Sequence, residues 1–278
     1  MKIIDNFLFR NEYDILEIRL SILYEHVDQF TIVESDHTFT GKYKGYNLLE
    51  HKERYKAWWD KINYVKIGKS PHDNTWATEH WNRNHFYSTW KNLTDADVVM
   101  ISDADEIIRP EAVEFIKNTN YNFYRLGMPF FNFKFNYFNV KGHTPWPSAK
   151  AFRGYFIDGN DGMRGIQHAP NGKNIMLDHC GWHFSYLGDR DWIIEKLQSY
   201  AHTESNTPSV IDNLQIDRLI KEGKDFASRP GMEFKVVKLD EYFPKPLIDN
   251  TEKFKDLILP DSDLSVLDIV PGPIPKQI

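Results

Sequence analysis

Three carboxylates that could share a cation, Asp103, Asp105 and Glu106, follow directly after a short apolar run. That run, Val-Val-Met-Ile at positions 98–101, predicts a strand buried on both faces. Carboxylates are costly to remove from water unless a positive charge compensates them. Because ligands of open α/β sheets bind at the carboxyl ends of the strands, the cluster predicts a cation-assisted ligand site.

A further group with metal-binding chemistry is His183, in the sequence Gly-Trp-His-Phe-Ser at 181–185. Imidazole joins oxygen ligands around Mn²⁺-like ions, so two carboxylates, this histidine and a substrate diphosphate would complete a coordination shell. Two plainer interpretations stay open. Asp103 could cap a helix that begins near Pro110, and His183 could be a hydrogen-bonded core histidine.

The elements that must position these groups alternate between strand and helix through the first 110 residues. Strands are predicted at 2–9, 30–34, 62–67 and from residue 97, and the intervening segments are a helix capped by Asn11, an amphipathic stretch over 46–59 and a helix over 75–93. This order predicts an α/β fold with a mostly parallel central sheet and helices on both faces. The chain contains neither Gly-x-Gly-x-x-Gly nor a Walker sequence, which disfavours a dinucleotide or P-loop site.

The chain beyond residue 110 predicts a smaller antiparallel extension. Strand patterns occur at 122–128, 130–140, 175–177 and 181–187, and helical patterns at 111–117, 191–202 and 209–221. Within 130–140, the side chains of Phe131, Phe133 and Phe135 alternate with Asn132 and Lys134. This alternation predicts a half-exposed strand that could form the floor of a groove or simply pack in a sheet.

Composition excludes several classes of function. A formal charge of −6 argues against nucleic acid as a partner, because phosphate backbones are bound by clustered Lys and Arg. The single cysteine, Cys180, excludes an internal disulfide and a multi-cysteine zinc site. No window approaches the ~20 apolar residues that span a bilayer, and the first residues lack a signal-peptide core. We therefore expect a cytoplasmic chain without a transmembrane segment; its oligomeric state stays open.

Four sequence blocks together resemble glycosyltransferase family 17, the β-1,4-N-acetylglucosaminyltransferase type. The blocks are residues 11–20, residues 27–35 with 38–41, residues 101–107 and residues 181–185. They keep their order from residue 3 to about 225, while 140–175 does not align with the family pattern. The resemblance is specific in combination, and the unaligned stretch leaves the acceptor unidentified.

The resemblance implies a GT-A fold, a UDP-sugar donor (UDP-GlcNAc in the animal members), Mn²⁺ or Mg²⁺, and inverting transfer to a glycan or other hydroxyl acceptor. Asp103 and Asp105 resemble the family's Asp-x-Asp, Asp105 being the metal ligand, and His183 resembles a further metal or phosphate contact. We expect a catalytic domain over 1–235, with a nucleotide-binding half at 1–110 and an acceptor-side half at 111–235. A Pro-rich wrapping segment would follow over 236–278.

Other roles follow from the same resemblance. Arg83 resembles a family arginine that binds phosphate or pairs with the carboxylates, the alternative being a surface ion pair. Glu34 and Ser35 would lie near the nucleoside, or else cap a helix or turn. Inversion requires a general base, and the candidates are Asp161, Asp178 and Glu106.

Two other functions fit parts of the sequence. A strand followed by Asp-x-Asp also occurs in haloacid-dehalogenase-type phosphatases, but these have Thr or Val where Ile107 stands. They also carry a later Gly-Asp-x-x-x-Asp, whose spacing Gly188, Asp189 and Asp191 do not match. A non-catalytic sugar-binding protein on the same fold is the second alternative.

Overall fold

A computed structural model describes residues 1–141, 146–154, 172–260 and 262–269. The strands are β1 (Ile3–Leu8), β2 (Gln29–Ser35), β3 (Ile62–Ile67), β4 (Val98–Ile101), β5 (Glu106–Ile108), β6 (Phe123–Met128), β7 (Phe130–Asn132), β8 (Tyr137–Asn139), β9 (Trp146–Arg153), β10 (Asn174–Leu177), β11 (Gly181–Ser185) and β12 (Phe234–Val236). The helices are α1 (Tyr13–Leu23), α2 (Asn47–Glu50), α3 (Thr75–Asn84), α4 (Pro110–Asn118), α5 (Arg190–Ser199), α6 (Pro208–Asn213), α7 (Ile216–Glu222) and α8 (Lys245–Asp249). Segments of 3₁₀-helix include Lys52–Lys61 and His85–Thr89.

The larger sheet confirms the predicted mixed α/β fold with a mostly parallel centre. Within the described residues its order is β10-β6-β9-β4-β1-β2-β3. Strands β4, β1, β2 and β3 are parallel to their neighbours in this half, while β9 is antiparallel to both β4 and β6. The carboxyl ends of β1, β2 and β4 therefore meet at one edge, where the predicted site residues were placed.

Strand β4 is buried on both faces, as its sequence predicts. Val98 and Met100 belong to a core cluster that includes side chains of α1 and α4. Val99 and Ile101 belong to another cluster, together with Phe86 of the 3₁₀ segment after α3. Helical segments therefore cover both faces of β4. The chain leaves this strand at the carboxyl edge of the sheet.

The smaller sheet places His183 beside the acidic cluster. Its order is β12-β8-β7-β11-β5, where β11 runs antiparallel to β5 and parallel to β7. In the register of β11 with β5, His183 lies opposite Glu106. The extension is therefore mixed rather than purely antiparallel, and β11, between β7 and β5, carries the histidine to the end of β4.

Four local predictions were wrong. Residues 130–140 form the hairpin β7–β8 and not a single strand, because Phe133 adopts a left-handed conformation (φ 63°) that turns the chain. The helix predicted over 75–93 ends at Asn84 and continues as 3₁₀-helix, and the pattern at 209–221 is divided between α6 and α7. Asn11 does not cap α1, whose N-cap position is Glu12.

The segment that follows β12 contributes to the core of the smaller sheet. Val237, Leu247 and Val266 are fully buried, in one cluster with Ile15 of α1 and Trp182 of β11. The indole N–H of Trp182 also donates to the carbonyl oxygen of Tyr242 at 3.1 Å. The boundary proposed at residue 235 stays a prediction, and the segment beyond it contributes buried side chains to the core of the smaller sheet.

Candidate functional site

A cavity of about 730 Å³ opens at the carboxyl edge of β1, β2 and β4. Among the described residues that line it, five are Lys or Arg (Arg10, Lys44, Arg83, Lys196, Arg229) and four are Asp or Glu (Glu12, Glu79, Asp103, Asp105). The whole chain has a formal charge of −6, so this local excess of cations is opposite to the net charge. Such a cavity favours an anionic ligand.

A fully buried arginine holds the loop between β4 and β5 in shape. Arg19 of α1 makes a two-pronged ion pair with Asp5 of β1, with N···O distances of 2.6 and 2.8 Å. Its remaining N–H groups donate to the backbone carbonyl oxygens of Asp103 and Glu106 and to the hydroxyl of Ser102. Bidentate pairing and five fixed donors make arginine suited to this task, so α1 fixes the carbonyl groups of the acidic loop.

The side chain of Glu106 stabilises the backbone of this loop. Its side chain is fully buried, and its Oε2 accepts the backbone N–H of Asp103 at 2.9 Å. The backbone N–H of Phe184 in β11 donates to the carbonyl oxygen of Asp105 at 2.8 Å. These bonds fix the loop between β4 and β5 against β11.

Asp105 meets His183 and Lys196 inside the cavity. The Nζ of Lys196, on α5, donates to Oδ2 of Asp105 at 2.9 Å, and Nε2 of His183 lies 3.8 Å from Oδ1. Burial alone would lower the pKa of Lys196, but the charges of Asp105 and Glu12 and the hydrogen bond to Asp105 raise it above its ordinary value. Lys196 is therefore a cation at neutral pH, placed where a phosphate group can reach it.

Asp103 points to a different partner. Its Oδ1 accepts from Nη2 of Arg83 at 2.5 Å, and the guanidinium of Arg83 also donates twice to Oε1 of Glu79 one turn earlier on α3. The helix before this arginine begins with a side-chain cap, because Asn74 accepts the N–H of Ala77 at 3.0 Å. The two aspartates of Asp-x-Asp are thus divided between Arg83 and Lys196, and neither caps α4, whose N-cap position is Arg109.

Of the two residues predicted near the nucleoside, one lines the cavity. Ser35 lies on the wall and its hydroxyl donates to the carbonyl oxygen of Gly68 at 3.0 Å. Glu34 is fully buried and does not line the cavity; its oxygens accept from Lys44, Tyr64 and the backbone N–H groups of Asn47 and Leu48. This carboxylate stabilises the start of α2, as a cap does.

Of the three candidate bases, the structure describes two, Glu106 and Asp178. Glu106 is engaged in the loop described above. Asp178 is exposed at the carboxyl end of β10 and is not among the residues that line the cavity. Asp161 lies outside the described residues. Their catalytic role therefore stays a prediction.

Sequence reasoning missed Arg19 and four of the five described cations that line the cavity, Arg10, Lys44, Lys196 and Arg229. A signal for Arg19 was present, because an arginine among Ile15, Leu16, Ile18 and Leu20 must be buried with a partner. Lys196 and Arg229 lie on ordinary polar segments, so only the fold brings them to the cavity. Arg229 is held there by the fully buried carboxylate of Asp225, at 2.5 Å.

Two side chains at the end of β4 could bind a metal ion, Asp105 and His183. In the ranges that the structure describes, no group of three or more His, Cys, Asp or Glu side chains could hold one. Asp105 and His183 are close enough to supply two donors. Mg²⁺ commonly takes only one or two protein carboxylates and completes its shell with substrate phosphates and water, so two donors fit a metal that binds together with a diphosphate.

The chain matches a known protein family. The model of glycosyltransferase family 17 matches residues 1–261, which include the large cavity, the acidic loop and β11. Among the described residues, the helices are too short or too polar to cross a membrane.

Proposed function

The chain belongs to glycosyltransferase family 17, and on that premise we propose that it transfers a sugar from a nucleotide-diphospho-sugar to a hydroxyl acceptor in the large cavity. The observation that carries the proposal is the meeting of Asp105, His183 and Lys196 at the end of β4. A cation is needed there because the departing diphosphate gains negative charge as the sugar leaves. We further propose that the fold is of GT-A type.

The donor can be oriented from the chemistry of the cavity. Its diphosphate would lie near Lys196 and Arg83, the cations paired with Asp105 and Asp103. Its nucleoside would lie toward Ser35 at the end of β2. The resemblance to N-acetylglucosaminyltransferases makes UDP-GlcNAc the donor that we propose, with a glycan or another hydroxyl compound as acceptor.

Metal dependence is part of the proposal. Asp105 and His183 would hold Mn²⁺ or Mg²⁺. Asp103, on the same loop as Asp105, would lie beside them. When bound, the ion would neutralise charge on the diphosphate. Arg83 pairs with the carboxylate of Asp103, and Arg19 donates to the backbone carbonyl oxygen of Asp103. Both contacts would maintain the geometry of the two aspartates.

Inversion at the anomeric carbon needs a carboxylate that takes the proton of the acceptor hydroxyl. We propose that one of Asp161, Asp178 and Glu106 fills this role. Replacement of the base by its amide should abolish transfer without weakening donor binding, which distinguishes the three.

The first experiment measures release of UDP from UDP-GlcNAc with and without Mn²⁺. We expect slow, Mn²⁺-dependent release by the wild type and a decrease of about 10²–10³-fold in Asp105→Asn, the size seen when one charge-stabilising group is lost. Asn is preferred to Ala because it keeps the volume of the side chain and a donor and acceptor. Asp95→Asn, at an exposed position remote from the cavity lining, is the matched control and should leave release unchanged.

Other outcomes separate the alternatives. Metal-independent hydrolysis of a phosphomonoester without binding of any UDP-sugar would contradict the transferase proposal and favour a phosphatase. Binding of sugars without turnover would favour the non-catalytic alternative. A thermal-shift panel of nucleotide-sugars identifies the donor, because a ligand that binds only the folded state raises the apparent stability with its concentration.

A further inference from the structure

Lys196 lies between two cavities, and its ion pair with Asp105 does not by itself account for this position. It lines the large cavity and also a second one, of about 330 Å³, between the beginnings of α1 and α5. Glu12 and Asp105 are the other residues that line both cavities. Lys196 therefore stands in the wall between the two, with its ammonium group next to the acidic loop.

The contacts of Lys196 leave part of its binding capacity unused. An ammonium group has three N–H donors, and within the described part of the chain Nζ has one hydrogen bond, to Asp105 Oδ2 at 2.9 Å. The rings of Tyr186 and Trp192 face it, with Nζ at 5.1 and 5.4 Å from their centroids. The aromatic rings hold the cation in place without using a strong acceptor, so Lys196 can donate to a ligand oxygen while the rings keep their positions.

The position of α5 also makes Lys196 a fixed cation. The helix is capped at its start, where the carboxylate of Asp189 accepts the N–H of Trp192 at 2.9 Å. At its end, the hydroxyl of Ser199 accepts from Arg10 at 2.5 Å, which ties the helix to the segment after β1. Helix α5 is therefore anchored at both ends. Its Lys196 side chain loses little freedom when a ligand binds.

We propose that Lys196 binds the diphosphate of the donor directly and stabilises the negative charge on the leaving phosphate oxygen. In the transfer step, the bond between the anomeric carbon and that oxygen breaks and its electron pair stays on the oxygen. The acceptor oxygen bonds to the anomeric carbon and its proton passes to the general base. Lys196 keeps its protons and donates a hydrogen bond to the phosphate. This inference rests on the proposed function.

The inference makes Lys196 a diphosphate contact rather than a structural partner of Asp105. A structural partner would affect stability and all ligands alike. A diphosphate contact distinguishes UDP from uridine, because only UDP has the phosphates. The distinction holds with or without a divalent cation, since the charge of Lys196 belongs to the chain itself.

Calorimetric titration with UDP and with uridine tests the inference, each in Mg²⁺ and in EDTA. The variant Lys196→Gln keeps a hydrogen-bond donor for Asp105 and removes the charge. We expect it to bind UDP about tenfold or more weakly, the effect of one charge-assisted hydrogen bond, and to bind uridine within about twofold of the wild type. Lys196→Arg should regain most of the affinity for UDP.

The matched control is Lys134→Gln, because Lys134 lines only the second cavity and its Nζ donates to the carbonyl oxygen of Asp256. It should leave the affinity for UDP unchanged. Unchanged affinity of Lys196→Gln for UDP, or equal losses for UDP and uridine, would overturn the inference while leaving the transferase proposal standing. A wild type that binds neither UDP nor uridine would instead overturn the transferase proposal.

Discussion

The residue that most constrains the site is Arg19, which does not itself line the cavity. It is fully buried, and its guanidinium joins Asp5 of β1 to the loop that carries Asp103 and Asp105. The ring of Phe7 lies 4.0 Å from its guanidinium carbon. A buried charge is tolerated only with a partner and hydrogen bonds, and here the same bonds that satisfy Arg19 shape the acidic loop.

We expect Arg19→Met to destabilise the protein by about 3–5 kcal/mol, because the carboxylate of Asp5 remains buried without its partner. Arg19→Lys should recover only part of this loss, since an ammonium group cannot reproduce the two-pronged pairing. Urea denaturation measures both changes. Arg54→Met is the control: its half-exposed pairs with Asp14 and Glu17 should contribute less than about 1 kcal/mol. Equal losses in Arg19→Met and the control would show that the buried pair is not needed.

Residue types alone predicted that Asp105 and His183 lie together, because carboxylate and imidazole are both metal donors. Asp105 follows a predicted strand, and His183 lies within another. They did not predict Lys196. A lysine on a helix about ninety positions after Asp105 carries no local signal, and only the packing of α5 against the cavity brings it there. The partners of a charged residue depend on tertiary structure, and sequence spacing cannot supply them.

The pairing of β11 with β5 is the element on which the position of His183 depends. Gly181 begins β11, and a Cβ atom at this position would lie 1.9 Å from the carbonyl oxygen of Ile107 in β5. Real Cβ atoms do not approach backbone so closely, so the glycine is required for the two strands to meet. This is a physical reason for the glycine in Gly-Trp-His-Phe-Ser.

Gly181→Ala should therefore separate the ends of β11 and β5 and lower the free energy of unfolding by about 1–3 kcal/mol, the usual effect of overpacking. UDP release should fall as well, because His183 moves away from Asp105. Gly68→Ala is the control, since nothing lies within 4 Å of a Cβ atom there. Denaturation and the UDP-release assay check the two effects, and a Gly181→Ala protein as stable and active as Gly68→Ala would refute the close-approach argument.

At the level of elements, sequence periodicity was sufficient where burial was extreme. Strand β4 is a continuous apolar run, and strands β1 to β4 alternate with helical segments, so their parallel arrangement could be predicted. The hairpin after β7 could not, because its turn depends on Phe133 in a left-handed conformation. A non-glycine residue rarely takes that conformation, and the backbone N–H and carbonyl of Phe133 bond to Ser185 and Gly188, which are distant in sequence.

On the scale of the whole molecule, the two sheets share one helix. Leu16 and Leu20 of α1 pack in the cluster of the larger sheet, while Ile15 and Ile18 pack in that of the smaller sheet. The segment after β12 completes the second cluster and covers the other side of α1. The helix that carries Arg19 is therefore held between two cores, which links the stability of the C-terminal segment to the geometry of the acidic loop.

A chain truncated to residues 1–235 should for this reason lose cooperative folding, although a domain boundary was predicted there. Removal of the buried side chains Val237, Leu247, Phe254 and Val266 forfeits about 1.5–3 kcal/mol each, a total comparable to the 5–15 kcal/mol of a typical domain. Truncation to 1–269 keeps all four and should unfold like the full chain. Urea denaturation followed by tryptophan fluorescence checks both, because Trp182 packs against Tyr242. A cooperative transition in the shorter chain, at an unchanged midpoint, would instead establish that residues 1–235 fold on their own and that the segment merely wraps them.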